Sequence, residues 1–120
     1  MKKLFFVFLF VLSAAAAFSQ ELSFSYPKDL AVPPSSEYVK TETTDLGTIY
    51  YFESSLTPKE FYQAFKTEME KKKYTSNANA DLLVSDAGGM VNWEKDTTKV
   101  VLLLGINDAN KKTLISISYK

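Results

Sequence analysis

Residues 100–104 have the sequence Val-Val-Leu-Leu-Leu and lie between the turn signal Asp96-Thr97-Thr98 and the polar stretch 107–110. Successive side chains of a β-strand point to opposite faces, so a run that is apolar at every position is apolar on both faces. Such runs are typical of a central strand that is covered on both sides. The segment therefore predicts a sheet with this strand near its middle.

One segment of the chain carries the signals of a helix start. Thr57 stands at the N-cap position, Pro58 at the first helical position and Glu60 at the third, and this combination is a capping box. Leu56 and Phe61 flank the cap at the spacing of a hydrophobic staple. Several independent signals thus indicate the same first turn.

The predicted helix runs from Pro58 to about Lys73, and its spacing places one set of side chains on a single buried face: Phe61, Tyr62, Ala64, Phe65 and Met69. Before it, Asp45-Leu46-Gly47 separates two β-forming runs and predicts a hairpin over residues 38–44 and 48–53. After it, turn signals divide the chain into four strands of an antiparallel meander, predicted at residues 82–85, 90–95, 99–106 and 113–119. The predicted fold class is α+β: an antiparallel β-sheet in the order ββαββββ with one amphipathic helix packed on one face.

A single helix covers one face of such a sheet and leaves the other face without cover. Residues 20–36 contain Pro27, Pro33 and Pro34, which favour an extended arm, and apolar residues that a solvated linker would not need. We therefore expect this arm to lie along the second face. Homodimerisation through the same face is the alternative.

The first 19 residues predict an export signal. Lys2 and Lys3 precede an apolar run over residues 4–12, and small residues follow it, with Ala17 and Ser19 suited to signal-peptidase cleavage. The predicted cut follows Ser19, with a cut after Ala17 as the alternative. Counted through Ala17, the apolar stretch is about 14 residues long, shorter than the roughly 20 needed to span a bilayer, so no stable membrane insertion is expected after cleavage. The sequence thus predicts a bacterial protein that is periplasmic or extracellular. The predicted organisation is a signal peptide at residues 1–19, the arm at residues 20–36 and a single α+β domain at residues 37–120.

The composition excludes several classes of function. Histidine, cysteine and arginine are all absent, which removes the usual general base, thiol nucleophiles, soft metal ligands and the bidentate phosphate clamp. Of the 14 lysines, two are lost with the signal, so the mature chain carries 12 against 14 acidic residues, a charge of −2. We therefore expect no nucleic-acid partner, no catalytic residues, no cofactor and no metal, and we predict that the protein is not an enzyme.

A pair of carboxylates, Glu42 and Glu53, is the candidate for acid–base chemistry, because the predicted hairpin could place them across from each other. The simpler interpretation is that both lie on a solvated face. The basic run 71–73 closes the helix, where positive charge meets the negative end of the helix dipole, and this favours a capping role over polyanion binding.

Aromatic residues are the candidates for ligand or partner binding: Tyr50, Tyr51 and Trp93. Alternation places Tyr51 on the face opposite Tyr50, and Trp93 on the same face as Val91. Aromatic side chains on an open sheet face can stack on a ligand or insert into a partner surface. The alternative is that these residues belong to the ordinary core.

Four segments of the chain form a recurrent pattern: Tyr26-Pro27, the hairpin residues 47–52, the capped helix start at residues 56–62 and the helix end Lys73-Tyr74. In these segments the chain resembles a group of small exported bacterial proteins of unknown function. Lys73 stands where the pattern has Gly, and Tyr74 where it has Trp, so Lys73 must accept a left-handed conformation or the helix must end differently. The resemblance implies a fold and a compartment, and it carries no catalytic residues.

Together these features predict an exported, non-enzymatic binding or protein-interaction module. Its partner would be a protein or an envelope component, bound at the sheet face without a helix or at an edge strand. The alternatives are an inhibitor or assembly subunit of an envelope complex, and a small carboxylate-based enzyme.

Overall fold

The computed structural model describes residues 24–120, so the predicted export signal and its cleavage site lie outside the described residues. The chain divides into two compact units, one ending at Val32 and the other running from Pro33 to Lys120. The second unit contains one α-helix, α1 (Pro58–Lys71), and a 3₁₀ turn (Ala80–Leu83). Its seven strands are β1 (Ser36–Thr44), β2 (Gly47–Ser54), β3 (Thr75–Ser76), β4 (Val84–Ser85), β5 (Gly88–Lys95), β6 (Thr98–Ile106) and β7 (Thr113–Tyr119).

All seven strands belong to one antiparallel sheet. Its order is β1-β2-β7-β6-β5-β3, and β4 pairs with β5 beside β3. The predicted α+β class is therefore confirmed, with one antiparallel sheet and one helix over the described residues. The structure adds the two-residue strand β3, and a 3₁₀ turn takes up Leu82 and Leu83 of the strand predicted at residues 82–85, which shortens β4 to Val84–Ser85.

The helix packs against β5 and β6 on one face of the sheet. The Trp93 ring on β5 lies 5.5 Å from the Phe65 ring and 6.3 Å from the Tyr62 ring. Strand register extends this face across the sheet, since Leu102 on β6 pairs with Ile117 on β7, and Ile117 pairs with Tyr50 on β2. These residues are buried and form the core of the domain.

Strand β6 lies inside the sheet, between β5 and β7, as the apolar run predicts. Its helix-side residues Val100, Leu102 and Leu104 are at most 5% exposed. On the opposite face Leu103 is 51% exposed. The helix supplies cover on one face alone, and cover of the second face by the arm or by a second copy of the chain stays a prediction.

The helix begins as the capping box predicts. The Glu60 amide donates to Thr57 Oγ1 at 3.1 Å, and the Thr57 amide donates to Glu60 Oε1 at 3.0 Å. At the other end Lys73 adopts φ 73°, so it accepts the left-handed conformation in place of Gly. The amides of Lys73 and Tyr74 donate to the carbonyls of Glu70 and Met69 at 3.0 and 3.1 Å, which is the Schellman pattern of helix termination.

The outer edge of β5 is closed by short segments. β3 pairs with Trp93 and Glu94 at one end, and β4 pairs with Gly88 and Gly89 at the other. Between them the Asn92 amide donates to Asn77 Oδ1 at 3.0 Å, and the Asn77 amide donates to the Asn92 carbonyl at 3.0 Å. This closure satisfies backbone groups that an exposed edge would offer to another chain.

The described part of the arm, residues 24–36, is turn and extended chain up to Ser36, where β1 begins. The Tyr26 hydroxyl donates to the Ala31 carbonyl at 2.6 Å, the Leu30 amide donates to the Pro27 carbonyl at 3.3 Å, and the rings of Phe24 and Tyr26 are 5.8 Å apart. That the arm covers a sheet face stays a prediction.

From residue 24 onward, no helix is both long enough and apolar enough to cross a membrane.

Candidate binding groove on the helix-free sheet face

The face of the sheet opposite α1 is here called the helix-free face. One row of directly paired residues crosses it from β1 to β5 and consists of Lys40, Tyr51, Ser116, Leu103 and Met90. The next row toward the end of β2 consists of Glu37, Glu53, Leu114 and Gly105. Paired residues on one face have Cβ atoms about 4.5–5.5 Å apart, so each row is a continuous strip of side chains.

A groove of about 460 Å³ runs over these two rows. The groove is defined by the side chains that face it and by one glycine: Val39, Lys40, Tyr51, Glu53, Leu103, Gly105, Leu114 and Ser116. Its apolar walls are only partly covered, since Val39 is 52% exposed, Leu103 51% and Leu114 40%. A concave surface of this size with apolar walls and a few polar groups is typical of a small-ligand site.

Gly105 leaves open space in the groove. A Cβ atom built on Gly105 would meet no heavy atom within 4 Å. Its neighbours in the row are Leu114 and, one strand further, Glu53, so the missing side chain leaves a gap at the β6 end of the row, beside Leu114. Glycine within a strand often marks a place where a ligand or another backbone approaches closely.

The β1 side of the groove carries a compact polar cluster. Glu42 accepts hydrogen bonds from the Tyr51 hydroxyl at 2.9 Å and from Lys40 Nζ at 3.3 Å, and Lys40 Nζ lies 5.0 Å from the centre of the Tyr51 ring. The hydrogen bond from Tyr51, with that from Lys40, holds the pKa of Glu42 below its usual value. The same bond to the carboxylate raises the pKa of Tyr51. The charge of Lys40 is thus already compensated within this cluster.

The opposite end of the groove is acidic. Glu37 on β1 lies directly opposite Glu53 on β2. Lys112 Nζ approaches Glu37 Oε1 at 3.7 Å, and Asn107 Nδ2 donates to Glu53 Oε2 at 3.4 Å. Like charges placed directly opposite each other in an antiparallel pair are unfavourable, so this acidic pair is not explained by the stability of the hairpin.

The structure separates the three aromatic residues singled out from the sequence. Tyr50 and Trp93 point to the helix side of the sheet and are 6% and 1% exposed, so they belong to the core. Burial raises the pKa of Tyr50. Tyr51 is half-buried on the helix-free face, where it lines the groove. Of the three, Tyr51 is the residue that remains available to a ligand.

The hairpin does not bring Glu42 and Glu53 together. Glu42 pairs with Ile49, whereas Glu53 pairs with Glu37, because β1 and β2 align from the Gly47 turn backwards with a bulge near Val39. Acid–base chemistry by a facing Glu42–Glu53 pair is therefore not supported by the register.

In the part of the chain that the structure describes, no three Asp or Glu residues group in a way that could hold a metal ion.

The apolar walls of the groove do not follow from the sequence. The apolar run predicts Leu103 in a strand covered on both faces, and no pattern singles out Leu114 or Gly105, although a glycine inside an apolar strand is a signal of close approach. Comparison with known proteins found no match among protein-family models, curated proteins or solved structures. The function of this chain is therefore inferred from its own geometry.

Proposed function

We propose that this chain is an exported, non-enzymatic binding module that takes an apolar ligand into the groove on its helix-free face. The observation that carries the proposal is the groove itself, about 460 Å³ in volume with leucine and valine walls, and with Gly105 leaving space that no protein atom fills. Apolar surface that remains half-exposed in a folded domain favours association with an apolar partner, because that association removes it from water.

The absence of histidine, cysteine and arginine from the sequence supports a binding role over catalysis. The polar groups nearest the groove also engage one another, since Tyr51 and Lys40 both donate to Glu42. A carboxylate held in two such bonds at a lowered pKa is a poor general base. A turnover that depended on Glu42 or Glu53 would contradict the proposal.

The test uses the neutral fluorescent probe N-phenyl-1-naphthylamine and the mature chain, residues 20–120. We expect one probe per chain, and we expect Gly105→Leu to weaken binding at least tenfold because the new side chain occupies the groove. Ala109→Leu is the matched control, since it adds the same side chain to the exposed loop between β6 and β7. Equal binding by all three proteins would overturn the proposal.

Loss of binding in Gly105→Leu must be separated from loss of folding. Glycine inside a strand is unfavourable by about 0.5–1 kcal/mol, and the site has room for a side chain, so this variant should be at least as stable as the parent protein. The thermal unfolding midpoint of Gly105→Leu, compared with that of the parent protein, measures this stability. A variant that is stable and does not bind the probe isolates the groove as the binding site.

A second candidate function is assembly through the edge strand β1. In the described residues the edge at β5 is closed by β3, Asn77 and β4, whereas β1 pairs with β2 alone. An exposed edge strand is a template for pairing with another chain. Light scattering over a concentration series tests this, and a monomer at every concentration would contradict assembly with a second copy of the chain.

A further inference from the structure

The charges beside the groove are unevenly compensated. Lys40 is the one lysine among the groove residues, and its ammonium lies 3.3 Å from Glu42 Oε2 and 5.0 Å from the Tyr51 ring centre. Its positive charge is therefore largely offset by Glu42. An anionic ligand would have to compete with Glu42 for this ammonium.

Glu53 is in the opposite situation. Its carboxylate lies 3.4 Å from the neutral amide of Asn107, and no lysine of residues 24–120 lies within 4.0 Å of it. The nearby Lys112 is paired with Glu37, which is directly opposite Glu53. At this end one ammonium, that of Lys112, stands beside two carboxylates and pairs with Glu37, so the uncompensated negative charge is on Glu53, which faces the groove.

The apolar space begins immediately beside this carboxylate. Glu53 pairs with Leu114, and Leu114 pairs with Gly105, above which the groove is open. A charge beside an apolar wall is less screened by water than one on an open surface, so an opposite charge there interacts more strongly. The arrangement places an attractive site for a cation next to a site for an apolar group.

We propose that the ligand of the groove is a small organic cation, with an apolar body over Gly105 and Leu114 and an ammonium group near Glu53. This inference rests on the proposed function, because it specifies the ligand of the same groove. Complementary charge at Glu53 selects the head group, and the groove volume of about 460 Å³ lies in the size range of small-molecule sites, roughly 300–1,000 Å³. The site then recognises an amphiphilic amine by one ion pair and one apolar contact.

The test compares three compounds with the same naphthalene body: 2-(1-naphthyl)ethylamine, 2-(1-naphthyl)ethanol and 1-naphthaleneacetate. Calorimetry gives their dissociation constants with the mature chain. We expect the amine to bind about tenfold more tightly than the alcohol, as a charge-assisted hydrogen bond would give, and the carboxylate to bind most weakly.

Two substitutions assign the preference to Glu53. Glu53→Gln should weaken binding of the amine about tenfold and leave the alcohol unchanged, and Glu53→Lys should make the carboxylate the tighter ligand. Glu94→Gln is the matched control, because Glu94 lies on β5, outside the residues that line the groove, and is paired with Lys99. Glu94→Gln should bind the amine, the alcohol and the carboxylate in the same order of affinity as the parent protein.

The outcomes separate the two proposals. Binding of all three compounds with equal affinity, or unchanged amine preference in Glu53→Gln, would overturn the cationic ligand and leave the apolar groove in place. Binding of none of the three would overturn both proposals. Tight binding of the amine that is lost in Glu53→Gln and kept in Glu94→Gln would support the assignment.

Discussion

Lys73 holds a backbone conformation that usually belongs to glycine. Its φ of 73° closes the Schellman hydrogen bonds after α1, and the following residue, Tyr74, is buried. A left-handed conformation costs a residue with a Cβ roughly 1–2 kcal/mol, so this position stores strain. The strain is tolerated because the turn leads Tyr74 into the core.

Substituting glycine at this position should relieve the strain. We expect Lys73→Gly to raise the free energy of unfolding by about 0.5–1 kcal/mol, after allowing for the greater freedom of glycine in the unfolded chain. Urea denaturation measures the change. The control is Lys72→Gly, one residue earlier at φ −91°, which should destabilise the chain because glycine brings no strain relief there.

Tyr62 links the core to the 3₁₀ turn. Its ring is 1% exposed, and its hydroxyl donates to Asp81 Oδ1 at 2.6 Å. Burial, reinforced by the bond to Asp81, raises the pKa of this phenol above its ordinary value of 10.0. The phenol therefore ionises less readily in the folded chain than in the unfolded chain.

This shift predicts instability at alkaline pH. Because the pKa of Tyr62 is higher in the folded chain than in the unfolded chain, its contribution to the free energy of unfolding is fully present below about pH 10. That contribution is lost as the pH rises towards the folded-state pKa. Tyr62→Phe should lower stability by about 1 kcal/mol at pH 7, because it removes the bond to Asp81, and should flatten the decline above pH 10. Urea denaturation at pH 7, 9, 10 and 11 tests this, and an equally steep decline in the variant would contradict it.

At the scale of elements, the start of α1 is specified locally. The two capping-box bonds join Thr57 and Glu60, three residues apart, so no distant part of the chain is needed to form them. This is why the helix start could be predicted to the residue. The helix itself ends at Lys71, two residues before the predicted end at about Lys73, because the left-handed Lys73 turns the chain away while the amides of Lys73 and Tyr74 still bond back to the last turn.

The cap makes a measurable contribution to stability. Thr57→Ala removes the acceptor for the Glu60 amide and should destabilise the domain by about 1 kcal/mol. Thr67→Ala in the middle of the same helix is the control, since alanine favours the helix there. Thermal unfolding of the two variants should shift in opposite directions, and equal shifts would show that the cap is not the cause.

The edge of β5 depends on a glycine that has no room for a side chain. A Cβ on Gly89 would meet the backbone of Leu83, the last residue of the 3₁₀ turn, and of Val84, the first residue of β4. We expect Gly89→Ala to destabilise the domain by about 2–3 kcal/mol, because β4 must move away from β5. Gly105→Ala is the matched control, with open space at its Cβ, and should be neutral or stabilising in urea denaturation.

At the scale of the whole molecule, the export prediction concerns residues that the structure does not describe. Expression of the full chain in a bacterium, followed by intact-mass analysis of the protein from the periplasm or medium, tests it. We expect a mature chain that begins at Gln20, and a chain beginning at Phe18 would indicate the alternative cut. An uncleaved chain retained in the cell would contradict export.

The sheet order shows what long-range pairing adds. The sequence predicts the strands, but only the structure joins β2 to β7 and so connects the hairpin to the meander. That pairing places Tyr51 beside Ser116 and Glu53 beside Leu114, residues more than 60 positions apart in the chain. The groove exists because of this register, so no local pattern could have identified its walls.

The sequence by itself determined the helix start, the strand alternation, the α+β class and the exclusion of histidine, cysteine and arginine chemistry. These follow from interactions between residues that are close in the chain and from composition. The tertiary structure decided which face α1 covers, that Tyr50 and Trp93 lie in the core while Tyr51 lines the groove, and that Glu53 faces Glu37 and not Glu42. The physical reason is that strand register and face assignment depend on contacts between distant segments, which share one face only after the whole sheet has formed.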